Sequence, residues 1–301
     1  MLSPRSSKRP TSTVRIPAVS LNNPFALLER PAVTDVAVAP APVEPVRSPR
    51  RRWIRPVLLG AVLPLTVIAL WQIIATSGLV ASYRLPTPLS VVAAGVDLYE
   101  RGVLYQHVAI STQRVLLGFL IGSIVGLALA SVVGLSARLS EFFAPTLGAL
   151  RAVPSLAWVP LLGLYLGYNE DSKVALIAIG AFFPVYTTVA SALRHVDSHL
   201  VELGRSYGYS GPALLGLVQL PAVVPAVISS LRLALAQAWL FLVAGELLGA
   251  SLGLGFLLVD SQQNGRIDRL FLTIILLGVL GKLTDAAVGV LERFLLKRWG
   301  S

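Results

Sequence analysis

The stretch VELGRSYGYSGPALLGLVQLP, residues 201–221, carries one glutamate, one arginine, two tyrosines, four glycines and two prolines. Long apolar runs flank it, at 173–193 (KVALIAIGAFFPVYTTVASAL) and at 223–249. The nature of the stretch depends on those flanks. Hydrophobic residues make up 55% of the 301 and charged residues only 13%, against about 25% charged in a soluble domain. A large soluble protein is excluded, because too little polar sequence remains to cover its surface. Runs of this length match the roughly 20 residues a helix needs to cross a bilayer. The fold class is all-α: a polytopic membrane helix bundle of about six spans.

The expected spans are 56–77, 108–134, 142–168, 173–193, 223–249 and 270–296. Pro145, Pro154 and Pro160 make the third kinked or broken. In the connection 78–106, SVVAAGVDLYERG predicts a short surface helix, and 250–269 reads as a loop. Gly118, Gly122, Gly126, Ala130 and Gly134 recur every fourth residue, a stripe that lets helix backbones approach closely.

Residues 1–55 hold ten Lys/Arg against three acids and are rich in Pro, Ser, Ala and Val. Such a segment builds no core and reads as a disordered basic tail; the transmembrane body is 56–299. SPRRRWIR (48–55) abuts the first span, where basic residues indicate the cytoplasmic side and contact with anionic membrane lipid, not nucleic acid. An even span count returns the C-terminus, with Lys297 and Arg298, to the cytoplasm. The 135–141 turn holds Arg138 and the opposite 169–172 turn reads NEDS, in keeping with that orientation.

With zero cysteines, disulfides and thiolate chemistry are excluded. His195 and His199 have an i, i+4 spacing, but no third ligand is evident, so no metal and no cofactor is expected. No GxxxxGK[ST] phosphate loop occurs; GVLGKLT (278–284) has the wrong spacing.

On this topology 194–222 is a cytoplasmic loop. Leu200, Leu203 and Tyr207 fall on one helical face, and Glu202 and Arg205 on another. Gly208 suits a left-handed helix end. Ser210 and Pro212 suit the start of a second helix, which is expected to stop before Pro221. Two such short helices need packing against the bundle or a partner.

This loop resembles the coupling loop of ABC-type importer permeases. Their pattern is Glu-Ala-Ala, Gly at the seventh position, then a branched aliphatic residue, Leu and Pro at positions seventeen, nineteen and twenty. Glu202, Gly208, Val218, Leu220 and Pro221 fall at those offsets; Leu203 and Gly204 depart from the two alanines. LYQHVAIST (104–112), RVLLGFLIGSIVGL (114–127), RAVPSLAWVPLLGLYLG (151–167), GAFFPVYTT (180–188) and LLGVLGKLTDAAVGVLERFLLKRW (276–299) are similar to the aliphatic-sulfonate branch of the nitrate/sulfonate/taurine group. The resemblance implies a bacterial inner-membrane permease with no ATPase of its own. It implies two cytoplasmic ATP-binding subunits, a periplasmic or lipid-anchored substrate-binding protein and a second permease copy as a homodimer. Glu202, Gly208, Val218, Leu220 and Pro221 are then the ATPase-coupling residues. Permeases for nitrate, taurine, bicarbonate or a thiamine precursor share the pattern, and an ATP-independent channel is the reading from a different class.

Charges inside spans are costly and usually face the bundle interior. Candidates are Arg114, Arg151, Arg232, Glu246, Lys282 and Asp285. Arg232, Arg114 and Arg151 are the candidates for an anion path. Lys282 and Asp285, at i, i+3, are expected to neutralise each other. Arg232 and Glu246 lie about 20 Å apart along one helix and do not pair. A membrane-embedded hydrolase is excluded by the lack of a mid-membrane histidine or paired carboxylates.

Overall fold

The computed structural model describes residues 51–298, apart from residues 82, 155, 156 and 248, and all regular structure among the described residues is helical. The packing described below lies within residues 57–301. The expected basic tail falls outside the described residues up to residue 50. From Arg51 onward the chain is already helical, in α1 (Arg51–Thr76).

Four helices are long and apolar enough to cross a membrane among the described residues: α3 (Val103–Gly134), α6 (Glu170–Arg194), α10 (Val224–Leu247) and α12 (Ile267–Arg298). The expected third span is not one helix. It divides into α4 (Ala137–Ala152) and α5 (Trp158–Leu166). Pro145 stays inside α4, but Pro154 biases Val153 to extended backbone, with ψ 125°, and the helix ends there. Nine residues of α5 span only about 14 Å. Broken helices of this kind are tolerated at membrane depth where they line protein or a cavity.

Two expectations for the connections are corrected. The surface helix α2 (Pro88–Glu100) starts where Thr87 accepts the Ser90 N–H at 3.2 Å. It buries Val91 and Leu98 against Leu257 and Leu272, so one face belongs to the core. The 250–269 loop contains a helix, α11 (Leu254–Gln263), with Leu254, Gly255, Leu257 and Ser261 buried.

The centre of the bundle is α6, with α3 parallel to it and α10 antiparallel. The small-residue stripe of α3 faces α6. A Cβ on Gly118 would stand 2.5 Å from Ile177, and one on Gly134 would stand 3.0 Å from Leu193. At Gly122 the obstacle is the backbone carbonyl of Ala178. On the α10 side, Gly180 receives the Phe241 ring, where a Cβ would meet it at 2.6 Å. Val115, Ile177, Ala238 and Leu242 form one apolar cluster between these helices. Ala130, Val185, Val189, Leu193 and Ala234 form another nearer the other end. Lipid tails are as apolar as these side chains, so close packing and dispersion hold the helices together.

Candidate functional site

The segment after α6 is a helical hairpin. Its first limb, α7 (Ser198–Ser206), starts where Asp197 Oδ1 accepts the His199 N–H at 2.9 Å. It ends at Gly208, whose φ is +84°. The Gly208 N–H donates to the Arg205 carbonyl at 2.9 Å and the Tyr209 N–H to the Gly204 carbonyl at 3.1 Å. Those are the two closing bonds of a glycine-terminated helix. No atom would lie within 4 Å of a Cβ at Gly208, so backbone angle, not space, calls for glycine there.

The second limb starts with α8 (Gly211–Leu214), with Pro212 in its first turn. The expected cap from the Ser210 hydroxyl is not made; its carbonyl instead accepts from Ala213 at 3.2 Å and Leu214 at 3.4 Å. A π-helical turn follows over Leu215–Gln219, closed by the Leu220 N–H on the Leu215 carbonyl. The limb does not stop before Pro221. It continues into α9 (Leu220–Ala222), where Pro221 occupies the first turn and no N–H is required.

Gly204 explains one departure from the family pattern. It is buried, and a Cβ there would stand 2.7 Å from Leu214 Cδ1 and 3.0 Å from Val218 Cγ2. The missing side chain lets the two limbs touch, with Val218 as part of the contact. Leu220 is half-buried against the cluster of Val185, Val189 and Leu193, so the hairpin is seated on the bundle. Glu202, Arg205 and Gln219 line a groove of about 470 Å³ beside Leu193 and Arg194. Leu200, Leu203 and Tyr207 are left exposed, Tyr207 to 75%. The structure therefore brings Glu202, Gly208, Val218, Leu220 and Pro221 into one projecting element.

At the opposite ends of α3, α6 and α10 lies a charge cluster in which Arg114 and Glu246 are buried and Glu170 is exposed. Arg114, with 3% of its side chain exposed, donates from Nε and Nη2 to the two oxygens of Glu170, each at 2.6 Å. Its Nη1 reaches Glu246 Oε1 at 2.6 Å and the Leu252 carbonyl at 2.7 Å. Glu246 also accepts from Ser111 Oγ at 2.8 Å and from the Gly255 N–H at 2.7 Å. Ser111 Oγ accepts the Leu254 N–H at 2.8 Å, and His107 Nδ1 accepts the Gly253 N–H at 2.9 Å. The first amides of α11, which have no partners within a helix, are thus satisfied by side chains of α3 and α10. A Cβ on Gly255 would stand 2.6 Å from Glu246 Cβ, so glycine is what admits the backbone.

The three arginines named for an anion path have different surroundings. Arg114 is committed to Glu170, Glu246 and a carbonyl, as a fastening of four segments. Arg232 donates to Asp285 at 2.9 and 3.1 Å and to Glu292 at 3.2 Å, joining α10 to α12. The expected Lys282–Asp285 pair exists at 3.3 Å, but the closer partner of Asp285 is Arg232. Arg151, exposed in the last turn of α4, makes no ion pair among the described residues. It lines a cavity of about 420 Å³ bounded by the α4–α5 break, α6 and α10.

Comparison with known proteins fits this geometry. The family model for the "Binding-protein-dependent transport system inner membrane component" matches residues 118–297. The "Putative aliphatic sulfonates transport permease protein SsuC" of Bacillus subtilis (strain 168) is 42% identical over 238 residues, 79% of this chain and 86% of that protein. The protein of the same description from Escherichia coli (strain K12) is 38% identical over 237 residues, 79% of this chain and 90% of that one. Among solved structures, an inward-facing form of the MetNI methionine ABC transporter aligns with TM-score 0.57 and 19% identity, covering 64% of this chain and 95% of that chain. That alignment shows a shared fold.

Proposed function

The chain belongs to the family of inner membrane components of binding-protein-dependent transport systems, and from that premise we propose that it is the membrane subunit of an ATP-driven ABC importer for aliphatic sulfonates. The observation that carries the substrate is the likeness, over most of the chain, to two aliphatic-sulfonate permeases. The working assembly is two copies of this chain, two ATP-binding subunits and a periplasmic or lipid-anchored substrate-binding protein. Both termini face the cytoplasm, with the ATP-binding subunits on the hairpin side and the binding protein on the side of the Arg114 cluster.

Closure of the ATP-binding subunits draws the two hairpins together. Glu202 anchors the hairpin by its charge, and Leu203 and Tyr207 offer the uncovered apolar edge. Gly208 sets the angle between the limbs. Val218 holds the limbs together at Gly204, and Leu220 with Pro221 passes the displacement into α10. The inner ends of the helices move, and access to the central cavity alternates between the two sides.

Two experiments test this reading. Deleting the gene abolishes growth on an alkanesulfonate as sole sulfur source, and a plasmid copy restores it; undiminished growth in a strain with no second sulfonate system overturns the substrate. Vesicles holding the assembled complex take up labelled sulfonate only with ATP inside. Equilibration without ATP makes the protein a channel. Uptake of nitrate, taurine or bicarbonate in place of sulfonate reassigns it within the family.

A further inference from the structure

We infer that the permease itself carries an amphipathic substrate site at mid-height: Arg151 and Gln237 hold the sulfonate head, and Trp158, Phe183 and Phe241 with the adjoining apolar pocket hold the alkyl tail. This rests on the sulfonate reading above and goes beyond it, because it places part of the selectivity inside the membrane subunit.

Three observations support it. The first is charge. Of the three arginines in the anion-path set, Arg114 and Arg232 are held by carboxylates, while Arg151 has none among the described residues. A cation at this depth, facing a cavity, is a ready counter-charge for a bound anion. The second is place. The cavity is bounded by Gly180 and Phe183 near the middle of α6, by Gln237 near the middle of α10, and by the break between α4 and α5. In secondary transporters, substrate sites near mid-membrane are typically built at such interrupted helices. The third is the shape of the chemistry. Apart from Arg151 and Gln237 the walls of this cavity are hydrocarbon and aromatic side chains. Trp158, Ile179 and Phe183 also line a second pocket of about 300 Å³, shared with Ile121, Val125 and Phe182 and with no polar side chain but the Trp158 indole N–H. Both volumes fall in the usual range for small-molecule sites, about 300–1,000 Å³. A bare inorganic anion uses only the head. An alkanesulfonate uses both parts.

The test uses the complete permease–ATPase complex in nanodiscs without the substrate-binding protein, so that only the membrane subunit selects. Binding of ethane-, butane- and hexanesulfonate and of nitrate is measured by calorimetry. Affinity is expected to rise about fourfold per methylene, the factor for a buried methylene, with nitrate weakest. Arg151→Gln is expected to lower every sulfonate affinity at least about tenfold, as loss of a charged hydrogen bond does, while keeping the chain-length increment. Trp158→Ala is expected to flatten that increment and leave nitrate unchanged. Co-purification of the ATP-binding subunits at wild-type yield shows that each variant is assembled.

Affinity independent of chain length, no measurable binding, or an Arg151→Gln complex that binds like the wild type overturns the site. Vesicle uptake with the binding protein separates this from the parent reading. ATP-dependent sulfonate import by wild type and Arg151→Gln alike removes the site and keeps the importer. Import of nitrate but not sulfonate by the wild type removes both.

Discussion

Arg114 and Glu246, 132 residues apart in the chain, meet at 2.6 Å with the glutamate side chain wholly buried. Along α10 that meeting point lies about 33 Å from the first residue of the helix, which adjoins the hairpin. The pair joins α3 to α10, Glu170 adds α6, and the amides of Gly253–Gly255 add α11. One end of the bundle is therefore fastened by a buried ion pair, while towards the hairpin the buried contacts are apolar and the ion pairs of Arg232 with Asp285 and Glu292 are more exposed.

Breaking the fastening is expected to destabilise the protein strongly. Removing one partner of a buried ion pair costs about 3–5 kcal/mol, because the other charge is left buried and unpaired. Arg114→Leu, which leaves Glu246 buried without a counter-charge, is expected to lower the thermal unfolding midpoint of the purified complex markedly. The double variant Arg114→Leu/Glu246→Leu is expected to recover part of the loss. Unchanged unfolding in the single variant refutes the pairing.

Gly208 provides a test of backbone angle, through asparagine and valine, and of an added negative charge, through aspartate. Its φ of +84° suits glycine, and its surroundings are open. A residue with a Cβ held in this left-handed region is strained by about 1–2 kcal/mol, less for asparagine. Gly208→Asn is expected to retain most ATP-dependent uptake, Gly208→Val to lose most of it, and Gly208→Asp to lose uptake together with co-purifying ATP-binding subunits. Equal uptake by all three variants separates this glycine from coupling.

Gly204 tests space instead. Gly204→Ala gains up to about 1 kcal/mol of helix propensity, and the atoms it meets are the movable ends of Leu214 and Val218. Near-normal uptake is expected. Gly204→Leu forces the limbs apart, and uptake is expected to fall at least about tenfold, with partial recovery on adding Leu214→Ala. A harmless Gly204→Leu shows that the limbs need not touch.

The glycines of the bundle divide in the same way. Gly122→Ala pushes a methyl group into the fixed carbonyl of Ala178, whereas Gly148 in α4 has no atom within 4 Å of a Cβ. Gly122→Ala is expected to lower the unfolding midpoint sharply. Gly148→Ala is expected to be neutral or stabilising by about 0.5–1 kcal/mol. Equal effects of the two mean that α3 does not pack on α6 through this stripe.

Much of this was legible in sequence, for identifiable reasons. Span lengths follow from bilayer thickness, so α3, α6, α10 and α12 lie within a few residues of their expected positions. The left-handed Gly208 and the stripe on α3 are local signals, and both have the expected geometry. What was not legible depends on which helix neighbours which. Arg114 and Glu246 each look isolated on their own helix, and His107 looks like a residue beyond the membrane. Only the fold reveals that α3 and α10 share an end. Gly204 reads as a weakened helix until Leu214 is seen against it. Helix α11 was hidden because its capping partners come from elsewhere in the chain.

The π-helical turn at Leu215–Gln219 gives the hairpin a fixed tally of residues. It accommodates one residue more than an α-helical turn between the same ends. Winding all five residues into ordinary α-helix would instead carry the chain beyond the turn forward by one residue, a rotation of about 100°. Val218 would then swing away from Gly204 or Leu220 from its seat on the bundle. An aligned pair of limbs and a helix leading back into the lipid thus share one phase, and the widened turn, by absorbing the surplus residue, is what keeps them in step.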